Sequence, residues 1–462
     1  MGGETRDGIF APERRATTIG LLLVITLVGF EALAIATIMP KVSSDLGGVS
    51  LYGWAFSAFL LAQLVGIVVA GASADRYGPE RPFIIGLVLL AVGLVMGGVA
   101  PSMEVLVGAR AIQGLGAGVI PAIAYVVIGR AYPAELRPRM FAMLSTAWIL
   151  PSLLGPAIAA LVASAFGWRW VFAGIVPLVA VAALLAAPPM RRLPPTPRSA
   201  DSEPPASLKN AIQVAVGTGL FLGGLIANNW WVLFALCAAG GLAAFGAFRR
   251  LVPVGTLRAV PGVPAAVLSR GLLTFAFFGV DAFITLAIVD VRGGSVAMGG
   301  FVLTVGALFW TTGSWIQSHY VQRLHPPILV RVGFAIFGVA IVIFCIAVST
   351  SVPLSMFAVA WGVGGFGIGL AYAPLSLVVL GGAEKGSEGR ASSALQLSDV
   401  LGCAIGIGVG GALVALGERL GWSPSSGLVI NALIDLVAVF AGVILASRLR
   451  VDSANSPILE AS

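Results

Sequence analysis

Four acidic residues, Glu31, Asp281, Asp399 and Asp435, lie inside long apolar stretches of this chain. Burial in hydrocarbon favours the neutral form of a carboxylate, and a nearby cation favours the ionised form. An acid that meets water, a proton and a substrate in turn can therefore exchange one for another. Arg110 lies equally deep in an apolar run and needs a partner or water. Gln113 follows it by three residues, on the same side of a helix. No glycine-rich phosphate cradle ending in Gly-Lys-Ser/Thr is present, and the stretch from Gly381 to Ser387 does not fit one. Uphill work by such a chain would draw on an ion gradient, and one proton crossing the membrane potential gains about 2.3 kcal/mol per 100 mV. Cys237, Cys345 and Cys403 lie within apolar runs without metal-ligand spacing. No metal site and no cofactor is expected. His319 and His325 share one loop and are given no role.

The elements that must position these residues follow from composition. The chain has 462 residues, of which 58% are hydrophobic and 10% charged, against roughly 25% charged in a soluble domain. That excludes a soluble fold and a disordered chain and leaves an all-α polytopic membrane protein. Apolar runs place spans near 17–39, 52–72, 83–100, 104–129, 139–165 and 170–188, then 210–227 and 231–248, then 264–289, 295–316, 328–348, 354–380, 391–416 and 425–447. The count is fourteen, in the order six, two, six. The domains expected are a tail over 1–16, a six-helix bundle over 17–188, a Pro-rich linker over 189–209, an inserted hairpin over 210–248, a second bundle over 249–448 and a tail over 449–462.

Charge supports the count. With the N-terminus cytoplasmic, 21 of the 27 Lys and Arg fall in cytoplasmic segments, and four (Lys41, Arg169, Arg292 and Arg419) fall outside. Both termini are then cytoplasmic. The net charge of +7 is explained by topology rather than by nucleic acid. There is no cleavable signal, so the first span should direct insertion. Trp54, Trp168, Trp170, Trp230, Trp231 and Trp422 fall near outer span ends, as an interfacial belt would.

The two blocks of six look duplicated. Gly29 to Ala32, with Glu31, corresponds to Gly279 to Ala282, with Asp281, at an offset of 250. Gly114, Gly116 and Gly118 correspond to Gly365, Gly367 and Gly369 at 251, and Gly155 to Gly406 also at 251. Gly71 and Arg81 are matched with Gly313 and Arg323 at 242. A duplicated bundle suggests a transporter whose pathway lies between two halves.

Five motifs carry a resemblance. The loop from Gly71 through Asp75, Arg76 and Gly78 to Arg81 resembles the major facilitator signature G-x-L-A-D-R-x-G-R-K/R. Ser73 stands for the Leu, Pro79 and Glu80 stand for the basic pair, and Arg81 lies one place late. Arg110, Gln113 and Gly114 are similar to the family's fourth-helix motif R-x-x-Q-G. Gly155 and Pro156 resemble the start of the antiporter motif G-P-x-x-G-G, with Ala159 and Ala160 in place of the glycines. Glu31, Pro40, Asp45 and Leu46 resemble a D-x(8)-P-x(4)-D-L stretch of fourteen-span drug:proton antiporters, and Gly167 to Phe172 resembles their G-W-R-W-x-F. The last is read mainly as an interface anchor.

The resemblance implies a major facilitator fold of two six-helix bundles with an inserted pair. It implies a gating loop at 71–81 and a proton-coupling role for Arg110. Depth and family position rank Glu31 first among the acids, its repeat mate Asp281 second and Asp399 third, since span five and its equivalent line the cavity in that fold. Asp435 ranks last, because the final helix of each six packs outside in that fold, and it can pair with Asn431. Trp148, Trp310, Trp315 and Trp361 are candidates to line a substrate cavity.

The function expected is export of amphipathic drug-like compounds, cationic in the main, in exchange for protons by alternating access. Its setting is the bacterial plasma membrane, and its partners are the small-molecule substrate, protons and the bilayer, with a monomeric chain and no nucleic acid. The same fold moving envelope lipids or another endogenous metabolite is the alternative. A membrane enzyme or sensor would need a catalytic cluster or a sizeable soluble domain, and none appears.

Overall fold

A computed structural model describes residues 8–47, 51–193, 208–225, 227, 229–321, 324–349, 351–383 and 388–449. Among them there are helices and turns and no strand. Hydrocarbon offers the backbone no hydrogen bonds, and a helix satisfies its own. In chain order the helices are α1 (Pro12–Leu46), α2 (Tyr52–Tyr77), α3 (Glu80–Gly98), α4 (Met103–Ala131), α5 (Arg137–Thr146), α6 (Ile149–Ala165) and α7 (Arg169–Met190). They continue as α8 (Leu208–Leu225), α9 (Trp230–Leu251), α10 (Val263–Asp281), α11 (Ile284–Leu286) and α12 (Val296–Tyr320). The last are α13 (Pro326–Ser349), α14 (Ser355–Gly381), α15 (Glu388–Arg419) and α16 (Pro424–Leu445).

Thirteen helical segments among the described residues are long and apolar enough to cross a membrane, one fewer than the fourteen expected. The helix outside that set is α8. Lys209, Asn210 and Gln213 occupy its first two turns and dilute its apolar content. It nevertheless packs closely on α9. A side chain at Gly217 would strike the backbone of Gly240 and Ala244, and one at Gly240 would strike Gly217 and Phe221. This small-residue seam is the device by which membrane helices approach each other.

The chain divides into two units, Met1–Ala211 with Glu384–Ser393, and Ile212–Ala383 with Ala394–Ser462. In the first, α2 and α3 pack chiefly on α4, while α1 packs on α6 and α7. In the second, α12 and α13 pack on α14, and α10 packs on α14 and α16. Glycines permit these contacts. A Cβ at Gly114, Gly116 or Gly118 of α4 would fall on the carbonyl oxygen of Phe59, Gly86 or Gln63. In α14, Gly365, Gly367 and Gly369 stand in the same way against the carbonyl oxygens of Gly306, Gly333 and Trp310.

These contacts correct one register of the repeat. Gly66 faces the carbonyl of Leu115, and Gly313 faces that of Phe366. Gly313 is thus the mate of Gly66, 247 positions away, and not of Gly71. The same offset makes Arg323, which lies outside the described residues, the mate of Arg76 rather than Arg81.

Three of the four exceptions to the charge bias also have a local cause, and the side chain of Arg419 lies outside the described residues. Lys41 donates to the carbonyl of Ala163 at 2.9 Å, Arg169 to that of Ala100 at 3.2 Å, and Arg292 to those of Ala347 and Val352. Ala163 and Ala347 lie in the last turns of α6 and α13, and Ala100 just beyond α3. Cations there neutralise the negative end of a helix. Trp168, read as an interface anchor, is instead buried. Its indole donates to Asp45 at 2.9 Å and so ties the end of α1 to the start of α7.

Gly114→Ala or Gly369→Ala should separate packed backbones and lower the melting temperature of the purified protein, at a cost of about 1–3 kcal/mol. Gly108→Ala, where a Cβ meets nothing within 4 Å, is the control and should melt as the parent does. Equal melting of all three would contradict the packing described.

Candidate functional site

The first unit holds its charges in one network. Glu31 of α1 is ion-paired with Arg110 of α4, at side-chain exposures of 0% and 3%. The Arg110 guanidinium also donates to Oε1 of Gln113 at 2.5 Å and to the carbonyl of Ala55 at 3.1 Å, and lies 4.2 Å over the ring of Phe59. Gln113 then donates to the carbonyl of Gly93 at 2.8 Å. Arg110 joins α1, α2 and α4, and Gln113 adds α3. Arg110 keeps its contacts to α2 and to its own helix independently of Glu31. Glu31 Oε2 has no hydrogen-bond partner. Protonating Glu31 would therefore loosen α1 from α4 while leaving Arg110 seated.

The second unit repeats the plan with different chemistry. Asp281 of α10 accepts a hydrogen bond from the indole Nε1 of Trp361 in α14 at 2.9 Å. Asp281 is the mate of Glu31 at 250, and Trp361 stands 251 beyond Arg110. A carboxylate thus meets the equivalent helix in both halves, but its partner is a cation in one and a neutral N–H in the other. Trp361 is 1% exposed, and Phe277 stacks on it at 4.8 Å.

Asp399 of α15, by contrast, has a cation of its own. Arg270 Nε donates to its Oδ1 at 2.8 Å, and the Tyr372 hydroxyl donates to its Oδ2 at 2.8 Å. Arg270 also donates to the carbonyl of Tyr372 at 2.6 Å and to Ser376 Oγ at 3.2 Å, with its guanidinium 3.0 Å from the centre of the Tyr372 ring. No motif marks Arg270 in the sequence. Its signal is an Arg inside an apolar run, the same signal that marks Arg110. Asp435 is enclosed and accepts from Asn431 Nδ2 at 3.0 Å, which also reaches the carbonyl of Gly279 at 2.8 Å.

The remaining motif residues fall in several places. Gly71 is buried, and Arg76 is exposed and lies 5.1 Å over the ring of Tyr77. Gly78, at φ +79°, ends α2 with its N–H on the carbonyl of Ala74. A left-handed φ suits glycine there. Arg81 is exposed, and its neighbour Glu80 pairs with Arg191 at 2.5 Å, beside the end of α7. The side chains of Asp75 and Pro156 lie outside the described residues. A Cβ at Gly155 would make ordinary 3.7 Å contacts with Leu33 and Phe30, whereas one at its mate Gly406 would strike the carbonyl of Phe275. Trp148 is exposed, lies against Gly29 and is remote from the tryptophans of the second half in sequence. Trp310 packs edge-on to Phe277 at 5.2 Å and to Tyr372 at 5.2 Å, and Trp315 lies 6.5 Å from the His319 ring.

Helices of this length and packing, with a charge network in the fourth helix and a near copy of it later in the chain, define a membrane transporter. The family model of the Major Facilitator Superfamily matches residues 21–407, and the chain belongs to that family. It is a multi-pass membrane protein and not an enzyme. It is 34% identical over 163 residues to the multidrug resistance protein 3 of Bacillus subtilis strain 168, a match to 35% of this chain and 32% of that one. The match thus spans about a third of that relative's length. It is 24% identical over 398 residues to a probable multidrug-efflux transporter of Mycobacterium tuberculosis, covering 82% of this chain and 83% of the relative. A crystal structure of the human organic anion transporter MFSD10 shares the fold at a TM-score of 0.68 and 16% identity, covering 94% of this chain and 99% of that one.

Removing one member of a buried ion pair strands the other, at about 3–5 kcal/mol. Arg110→Ala should therefore lower the melting temperature sharply, and adding Glu31→Gln to it should restore most of the loss. If the double variant melts no higher than Arg110→Ala alone, the two side chains are not the unit described.

Proposed function

We propose that the protein is a secondary exporter that exchanges protons for amphipathic drug-like compounds, cationic in the main, by alternating access in a bacterial plasma membrane with both termini cytoplasmic. The observation that carries the reading is Glu31, a fully buried carboxylate with one oxygen on Arg110 and the other without a partner. Such a group is costly to leave charged and is compensated by a single neighbour, so a proton and that neighbour compete for it. In the proposed cycle a proton taken by Glu31 releases α1 from Arg110, and loss of the proton re-forms the pair. Arg110 acts as the fixed cation, held by Ala55, Phe59 and Gln113 in either case. Asp281 and Asp399 are the proposed second-half acids, and the loop from Gly71 to Arg81 is the proposed cytoplasmic gate. The relatives named for multidrug resistance and efflux support the substrate class.

In proteoliposomes with an imposed pH gradient, a lipophilic cation should accelerate proton movement. Glu31→Gln should insert normally and cut the cation-dependent proton flux at least about tenfold, the effect of losing roughly 1.4 kcal/mol or more of coupling. Normal efflux by Glu31→Gln at normal expression would overturn the assignment of the proton site. Transfer of lipids indifferent to the gradient, with no response to cations, would overturn the exporter reading in favour of lipid movement.

A further inference from the structure

Of the four carboxylates placed by the sequence inside spans, two are paired with a cation and a third is enclosed. Glu31 is paired with Arg110, Asp399 with Arg270, and Asp435 is enclosed at 0% exposure against Asn431. Asp281 is neither. Its hydrogen-bond partner is the neutral indole of Trp361, and among the described residues no Lys or Arg forms an ion pair with it. It is half-buried, as Asp399 is, rather than enclosed like Glu31 and Asp435. Finally, α10 stops at it. Ala282 and Phe283 interrupt the helix before the three residues of α11 and a π-helical turn over Ala287–Val291. In the first unit, α1 runs unbroken through Glu31 for 35 residues.

The break has an electrostatic consequence. The C-terminal end of a helix carries roughly half a negative charge, and here it adds to the carboxylate. Discontinuous helices in transporters present such ends to cations. Aromatic rings adjoin the same point. Phe277 stacks on Trp361 at 4.8 Å, Trp310 stands edge-on to Phe277 at 5.2 Å, and Phe278 lies 6.4 Å from Trp310. Ring faces attract cations. A small inorganic cation needs several oxygen ligands at once, and one carboxylate beside aromatic faces does not provide them. An organic cation needs one counter-ion and π faces.

We propose that Asp281, at the broken end of α10 and beside Phe277, Phe278, Trp310 and Trp361, is the counter-ion that receives a lipophilic organic cation. The proposal rests on the exporter reading above and deepens it. The second half takes the cargo at Asp281, while the ion pair of Glu31 and Arg110 serves the proton.

The test is binding of tetraphenylphosphonium to the purified full-length protein in detergent, with triphenylphosphine oxide as a neutral aromatic probe. Asp281→Asn keeps an acceptor for the Trp361 indole and should weaken tetraphenylphosphonium binding about 10- to 100-fold while leaving the neutral probe unaffected. Asp281→Glu should recover most of the affinity. Trp310→Ala should weaken both probes about two- to tenfold, since it removes a ring and no charge. Undiminished tetraphenylphosphonium binding by folded, monodisperse Asp281→Asn overturns the site and leaves the exporter reading standing. Equal loss of both probes in Asp281→Asn marks a structural role and overturns it too. A wild-type protein that binds no lipophilic cation overturns both readings.

Discussion

The first unit is organised around the cost of keeping a guanidinium in a membrane span. Arg110 cannot shed its proton, so every donor it carries must be met from within the protein. Glu31 and Gln113 accept from Nη1, the carbonyl of Ala55 accepts from Nε, and the ring of Phe59 lies under the guanidinium, and these come from three helices. They come within reach only because Gly114, Gly116 and Gly118 let α2 and α3 lie directly on α4. The glycine stripe and the charge network are thus one device. Close backbones allow the pair to form, and the pair holds α1 against the cluster so assembled.

The second unit keeps the glycine stripe and changes the chemistry placed on it. Trp361 stands where the first half has Arg110, and Asp281 where it has Glu31. Applying the offsets of 250 and 251 to the other ion pair, Arg270 and Asp399 stand where the first half has Gly20 and Trp148. Each half therefore carries one Arg–carboxylate pair, enclosed in the first and part-exposed at Asp399 in the second, at different places on the shared scaffold. Duplication preserved the backbone contacts, where a single methyl group would collide. It left the side chains that face one another free to diverge. In the proposed exchange this divergence separates the proton from the cargo.

Much of this was legible before any coordinates. Apolar runs of span length located the helices, and an Arg and a Glu inside such runs marked both members of the first network. The sequence could not say that they touch, because Glu31 and Arg110 are 79 residues apart. The second network was harder to read. Arg270 stands as deep in its apolar run as Arg110 does but belongs to no recognised motif, and Trp361 reads as any apolar residue until its indole is seen on Asp281. The register of Gly313 was misjudged because glycines are abundant here, and only the carbonyl each one faces identifies its mate. The seventh span was placed by its apolar second half, whereas its first two turns are too polar to meet the same criterion. Lys41, Arg169 and Arg292 looked like exceptions to a charge rule and are helix-end partners, a role that depends on neighbours far away in the chain.

The central claim is that proton and cation occupy this protein alternately. It is tested most directly by adding tetraphenylphosphonium to the detergent-solubilised protein in weakly buffered solution near neutral pH and recording the pH. The account predicts that saturating cation releases protons in proportion to protein and that Glu31→Gln abolishes the release. Full binding of the cation by the parent protein with no proton released would contradict it.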